Sequence, residues 1–297
     1  MKLLILTQAV RKNDPVLGFF HRWLEELAGR FEKVTVIALG AGEHDLPENV
    51  KVLSLGKEHG ASKLEYLWKF YTYLWRERRE YDAVFVHMNQ EYVLLAGCLW
   101  RLMGKRVYLW RNHAKGSLAT RLAVALAHKV FYTSPSSYTA RFRKAVRMPA
   151  GIDTDFFKPD PAAVRKPHSI LFLGRISSVK RVLEFVEWFN ALGGDYTATV
   201  AGEALPKDKE YEALVRSKAS PRITFIGAVT QDEALRLYQT HETYVNKTPA
   251  GSFDKTIVEA AACGMKLMVD NPDAENVNPA EHSLKLLGER LARELSS

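Results

Sequence analysis

SILFLGRISSVKRVLEFVEWFNALGGDYTATVAG (169–202) sets the pattern of the whole chain. Two short runs rich in apolar and β-branched residues, SILFLG (169–174) and YTATVAG (196–202), flank a stretch near 179–192 whose apolar residues recur at helical spacing. Strand, helix, strand in this order predicts parallel strands of a sheet covered by helices on both faces. The alternation continues through RITFIG (222–227), a helix near 231–240, TYVNK (243–247), a helix near 255–263 and KLMVD (266–270).

The same grammar fills the first half: KLLIL (2–6), a helix from about Pro15 to Arg30, VTVIAL (34–39), VKVLSL (50–55), a helix near 63–79 and AVFVH (83–87). After these come a helix near 91–103, RVYLW (106–110), a helix near 117–128 and KVFYT (129–133). Between the halves, residues 149–167 carry four prolines and no clear periodicity, which predicts a linker. The reading is therefore α/β, with two doubly wound Rossmann-like domains, 1–150 and 151–281. The final helix, within 282–297, is free to pack back on the first. Ligands of open α/β sheets bind beyond the carboxyl ends of the strands, so two parallel sheets facing across a cleft predict a site in that cleft, built from strand-to-helix loops.

Composition narrows the classes. The chain has 297 residues, 47% hydrophobic and 26% charged, and no run approaches the roughly 20 apolar residues of a membrane span. MKLLILTQ is too short for a signal peptide and reads as a strand, so the expected location is the cytoplasm. The two cysteines, Cys98 and Cys263, fall in apolar helical patterns and predict buried, reduced thiols. A formal charge of +8 implies an anionic partner. No nucleic-acid-binding motif accompanies it, and no GxGxxG follows the strands at 2–6 or 169–173.

Two segments can carry chemistry. LGRISSVKR (173–181) leaves a strand at Gly174 and presents Arg175, Lys180 and Arg181 beside the start of a helix. Fixed cations and helix-end amides suit a departing diphosphate, whose charge grows as its bond to carbon breaks; solvated surface cations are the plain alternative. TPAGSFDKTIVEAAACG (248–264) opens a helix with small residues and places one acid, Glu259, among apolar positions. Ribose hydroxyls are good donors to such a carboxylate, and so is a neighbouring cation.

With PAGIDTDFFKP (149–159) added, these strings in this order make the chain resemble glycosyltransferase family 4, the group 1 glycosyl transferases of GT-B fold, over nearly its whole length. The resemblance implies retaining transfer from a nucleotide-diphosphate sugar such as a UDP- or GDP-sugar, with no cofactor and no obligatory metal. It places the diphosphate at Arg175 and Lys180 after Gly174, the base near Gly202 and Glu203, and the hinge aspartate at Asp153. The rest of the donor falls on Gly251, Ser252, Phe253, Asp254, Lys255, Thr256, Ile257 and Glu259, the last holding ribose. It brings the backbone of Gly18 close to the donor phosphate. It also places His113 near the donor sugar, with Asn112 and His87 as further acceptor-side candidates.

There is one departure, because glycine stands at 251 where the family's paired-acid motif has its first glutamate. Backbone amides of residues 251–254, a displaced carboxylate from Asp254, or loss of transfer would each accommodate it. The expected acceptor is a glycan or a lipid-linked sugar in envelope or capsule polysaccharide synthesis. A sugar-nucleotide epimerase and a non-catalytic binding subunit are the alternatives. In the helix near 63–79, Leu64, Leu67, Trp68, Tyr71, Leu74 and Trp75 predict the core stripe. Tyr66, Phe70 and Tyr73, flanked by Lys69 and Arg76, form a second face fit for a membrane surface at the inner leaflet or for a neighbouring helix.

Overall fold

The computed structural model describes residues 1–12, 14 and 17–296. The chain forms two compact units, Met1–Gly151 with Leu284–Ser297, and Ile152–Ser283. In the first, the elements are β1 (Lys2–Val10), α1 (Gly18–Ala28), β2 (Lys33–Ala41), β3 (Val50–Ser54), α2 (Lys63–Arg76) and β4 (Ala83–His87). They are followed by α3 (Gln90–Leu102), β5 (Arg106–Trp110), α4 (Leu118–Leu126), β6 (Lys129–Tyr132) and β7 (Ala145–Arg147). The seven strands lie in the order β3-β2-β1-β4-β5-β6-β7, every pair parallel.

The second unit contains β8 (Lys166–Leu173), α5 (Val182–Asn190), β9 (Thr197–Ala201), α6 (Lys209–Lys218), β10 (Ile223–Gly227) and α7 (Gln231–Thr240). It closes with β11 (His241–Asn246), α8 (Lys255–Ala262) and β12 (Lys266–Val269). Its strand order is β10-β9-β8-β11-β12, again all parallel. The last helix, α9 (Leu284–Ser296), belongs to the first unit.

Burial explains the apolar runs. Along β1, Leu3 and Ile5 enter one layer with Trp23 and Leu27 of α1, while Leu4 and Leu6 enter the other with Phe70, Leu74, Trp100 and Val124. Both faces of the strand are covered, so no alternation with polar residues survives. In the second unit Ile170, Phe172, Phe185 and Val200 form a separate core.

Three expectations need correction. On α2 it is Phe70 and Leu74 that are buried, with Tyr66 and Tyr73 partly so; of the expected core stripe only Leu74 turns inward, while Leu64, Leu67, Trp68, Tyr71 and Trp75 are exposed. Both sides of this helix are apolar, so periodicity finds the helix without telling which side meets the sheet. Tyr73 settles the side by donating to the Ser54 carbonyl at 3.1 Å. Cys98 is exposed, about half a turn from the buried Ala96 and Trp100 of α3, whereas Cys263 is buried as expected. The three-residue β7 has no signal in the sequence, and β8 begins at Lys166, inside the stretch read as linker. Pro15, where the first helix was expected to start, lies outside the described residues, as does Ser297.

Candidate active site

Strand order in the second unit reverses at β8, which lies between β9 and β11. The loops leaving β8 and β11 therefore open beside one another, and they are the two segments singled out for chemistry. Crevices of this kind are where open α/β sheets bind ligands.

The loop after β8 is held tightly. Gly174 N–H donates to the Ala201 carbonyl at 2.9 Å, Ile176 N–H to the Glu203 carbonyl at 3.1 Å, and Gly202 N–H to the Gly227 carbonyl at 2.6 Å. A Cβ on Gly202, whose φ is +138°, would stand 2.0 Å from the Gly174 carbonyl oxygen. Glycine is required there because two strand ends touch backbone to backbone. Arg175 is consequently displayed at the rim as an exposed side chain, and Glu203 is exposed beside it.

Lys180 ends a single 3₁₀ turn, Ser178–Lys180, and its ammonium meets the Asp254 carboxylate. The carboxylate also accepts from Thr248 Oγ1 at 2.7 Å and from Asn246 Nδ2 at 3.0 Å. Burial alone would raise the Asp254 carboxyl, but Lys180 first, then Thr248 and Asn246, hold it below its ordinary value. Asp254 thus fastens the β8 loop to the start of α8, and both of its oxygens are engaged.

Asp254 stands at the N-cap of α8, yet no side chain caps that helix, because the carboxylate is turned to Lys180. The amides at the start of α5 are occupied instead: Leu183 N–H donates to Tyr211 Oη at 2.9 Å, and the N–H groups of Lys180 and Arg181 close the preceding turn. Amides near the start of α5 are thus engaged within the fold, while the start of α8 has no side-chain cap.

Glu259 lies one turn into α8 and is 8% exposed. Tyr238 Oη donates to its Oε2 at 2.9 Å, and no hydrogen-bond donor among the described residues reaches Oε1. Burial pushes the Glu259 carboxyl up to about 7, against the opposing pull of Tyr238 and Lys255. Burial also drives the Lys255 ammonium well below its ordinary value, and Glu259 draws it partly back. Ile257 is buried behind them, while Thr256 accepts from Tyr244 Oη at 2.7 Å.

The glycine at 251 meets a carboxylate after all. Gly251, at φ +90°, donates its N–H to Asp273 Oδ2 at 3.2 Å. Asn271 donates to the Ser252 carbonyl at 2.6 Å and accepts from Asp273 N–H at 3.0 Å, so the loop after β12 braces residues 251–252. Phe253 packs on the His282 ring with centroids 4.8 Å apart.

In the first unit, His113 is exposed in the loop after β5, and its Nδ1 accepts from Lys115 N–H at 2.9 Å. The same nitrogen lies 3.1 Å from the Lys115 carbonyl oxygen, so the 113–115 turn holds the ring by Nδ1. Asn112 Oδ1 accepts from Thr133 and Ser134 N–H at 3.2 and 2.9 Å, clasping the ends of β5 and β6. His87 is buried among aromatic rings, stacked on Phe20 at 4.4 Å and beside Trp23 at 5.4 Å. Gly18 is the first residue of α1 and donates to the Asp14 carbonyl at 2.9 Å. Asp153 caps a turn by accepting from Asp155 and Phe156 N–H, each at 3.1 Å.

Sequence reasoning missed Tyr238, Asn246, Thr248 and Asp273. Asn246, a polar residue directly after Tyr244 and Val245, was the one available sign; the others act across 21, 6 and 22 positions respectively. Among the described residues no group of three or more His, Cys, Asp or Glu side chains has a metal-binding arrangement.

Residues 167–286 match the family model described as Glycosyl transferases group 1. No curated protein matches the sequence. Among solved structures, Anabaena Alr3699/HepE in complex with UDP superimposes with a TM-score of 0.74 at 16% identity, covering 100% of both chains. Sucrose-phosphate synthase from Thermosynechococcus elongatus gives 0.69 at 14%, covering 100% of this chain and 94% of that one. The lipopolysaccharide outer core galactosyltransferase WaaB gives 0.62 at 15%, covering 100% and 90%. Residues 167–286 are thus similar to the group 1 glycosyl transferases, and the chain as a whole has the fold of the GT-B glycosyltransferases.

Proposed function

We propose that this chain is a retaining glycosyltransferase that moves a sugar from a nucleotide-diphosphate donor to the hydroxyl of a glycan or a lipid-linked acceptor. We place it in envelope or capsule polysaccharide synthesis on the cytoplasmic side. A uridine donor is favoured because HepE was solved with UDP and with UDP-glucose. The observation that carries the reading is the contact of Lys180 with Asp254, which sets a cation beside the uncapped start of the helix bearing Glu259.

In this reading Oε1 of Glu259 accepts from the ribose hydroxyls, and the diphosphate lies against the first turn of α8 between Lys180 and Arg175. The acceptor oxygen bonds to the anomeric carbon on the face from which the diphosphate leaves, and the acceptor proton ends on the diphosphate. Protein cations take up the leaving-group charge. Asp273, at the position where Gly251 lacks a side chain, supplies the carboxylate for the donor-sugar hydroxyls. His113, with Nε2 outward, orients the acceptor hydroxyl.

The test is a thermal-shift panel of UDP-, GDP- and ADP-sugars followed by transfer of a labelled sugar. A ligand at a hundred times its Kd stabilises the native state by about 2.7 kcal/mol, a shift of several degrees. Arg175→Ala is expected to remove most of the shift given by UDP while leaving the Tm of the free protein unchanged, since Arg175 is exposed. No shift with any nucleotide, or an undiminished shift in Arg175→Ala, would remove the phosphate site.

The raised Glu259 carboxyl gives a pH signature. Ribose hydroxyls bind the carboxylate, so UDP affinity should climb as pH passes about 7, with a proton released on binding below it. The folded protein holds this proton more firmly than the unfolded chain does. Stability of the free protein should accordingly fall as pH rises from the ordinary 4.5 through about 7, by about 3 kcal/mol from this group. Calorimetric titration of UDP in buffers of different ionisation enthalpy measures the proton release. Glu259→Gln should flatten the pH profile; an equally steep profile in that variant would move the titrating group elsewhere.

A further inference from the structure

We infer that the outward side of α2 is a docking surface for an anionic phospholipid bilayer. Leu64, Trp68 and Trp75 are 80%, 69% and 65% exposed and lie along one side of the helix, with Leu67 and Tyr71 next to them. Phe70 and Leu74 already make the core contact of this helix, so folding of the unit gives no reason for two exposed tryptophans. Tyr71 Oη donates to the Leu95 carbonyl at 2.9 Å, which brings α3 and its exposed Leu95 alongside. A continuous apolar strip of this kind marks an interaction surface.

Charge selects the occupant. Lys63 opens the helix, and Arg76, Arg78 and Arg79 close it, the Arg78 guanidinium lying 4.3 Å from the centre of a Trp75 ring. The neighbouring acids are largely spent within the fold. Glu77 is buried against Lys51 at 2.9 Å and Arg76 at 3.0 Å, Glu80 binds Lys33 at 2.7 Å, and Glu65 accepts from Ser62 N–H in the capping box. Glu91, at the start of α3, stays exposed. The strip is therefore apolar in its middle and cationic at its C-terminal end, where Arg78 and Arg79 stand, while at its N-terminal end the exposed Glu65 offsets Lys63. Two copies of it would set like charges against each other. A bilayer with acidic headgroups instead takes the tryptophan rings at the level of its glycerol groups and the long basic side chains at its phosphates.

Sedimentation of the whole chain with vesicles of phosphatidylcholine, with and without phosphatidylglycerol, tests this. The expected result is binding that needs phosphatidylglycerol, weakens with salt, and is accompanied by quenching of tryptophan fluorescence by brominated acyl chains. Trp68→Ser with Trp75→Ser should lose that quenching and at least about tenfold in binding, while Lys63→Glu with Arg79→Glu should lose about tenfold on acidic vesicles. These side chains are exposed, so the native circular dichroism should survive and folding would not confuse the result. The proposal is overturned if the native chain stays in solution with both kinds of vesicle at low salt. Unchanged binding and quenching in the tryptophan variant overturn it as well. So does a native dimer that this variant makes monomeric without vesicle binding at any stage, which would assign the strip to a second copy. The readout is binding, so loss of sugar transfer has no bearing on it.

Discussion

Lys180→Ala should abolish donor-dependent stabilisation and lower sugar transfer by about two to three orders of magnitude, the usual cost of removing one charge-stabilising group from a transition state. It should also destabilise the free protein by about 3 kcal/mol, because Asp254 is left buried without its cation. The two losses separate in a double variant. Lys180→Met with Asp254→Asn removes the buried charge together with its partner, and Thr248 and Asn246 remain to hydrogen-bond the amide. Its urea midpoint should return to within about 1 kcal/mol of the native protein while transfer stays lost. If transfer recovers with stability, Lys180 is a structural residue and the leaving-group assignment fails.

Gly202→Ala is the second large effect. The added methyl group would fall 2.0 Å from the Gly174 carbonyl oxygen, and neither partner is a side chain that can turn away. At φ +138° the alanine is strained before any contact is counted. Together these should cost on the order of 3 kcal/mol or more, read as a lower urea midpoint with unchanged slope. The two strand ends must part to admit it, and Arg175 and Ile176 move with them, so nucleotide binding should fall too. Gly193→Ala is the control: a Cβ there meets nothing within 4 Å, and its effect should stay within about 0.5 kcal/mol. Equal midpoints for the two variants would contradict the packing described for the ends of β8 and β9.

How far the sequence can be read follows from where each signal originates. Strand segments buried on both faces must be apolar, so β4 and the apolar centres of β1 and β8 announce themselves. The loop after β8 and the α8 segment stand out because glycine, cations and an isolated acid sit close together in the chain. What stays hidden depends on partners distant in sequence. Tyr238 reaches Glu259 from the preceding helix, and Asp273 reaches Gly251 from beyond β12. Asp254 illustrates the limit: its place at a helix N-cap is plain, but its turn towards Lys180 depends on contacts the local sequence does not contain. The α2 helix failed for a different reason, since two apolar sides give the same periodicity and only the sheet decides between them.

The return of α9 to the first unit has a consequence for synthesis on the ribosome. Leu287, Leu291 and Leu295 cover Trp23 and Leu27 of α1, yet about 130 residues of the second unit are translated between Gly151 and Leu284. At about 5–20 residues per second, the nascent first unit waits roughly 7–26 s with that groove uncovered. The domain begun first is the one completed last, and its yield in the cell should respond to chaperones that shield apolar surface during elongation.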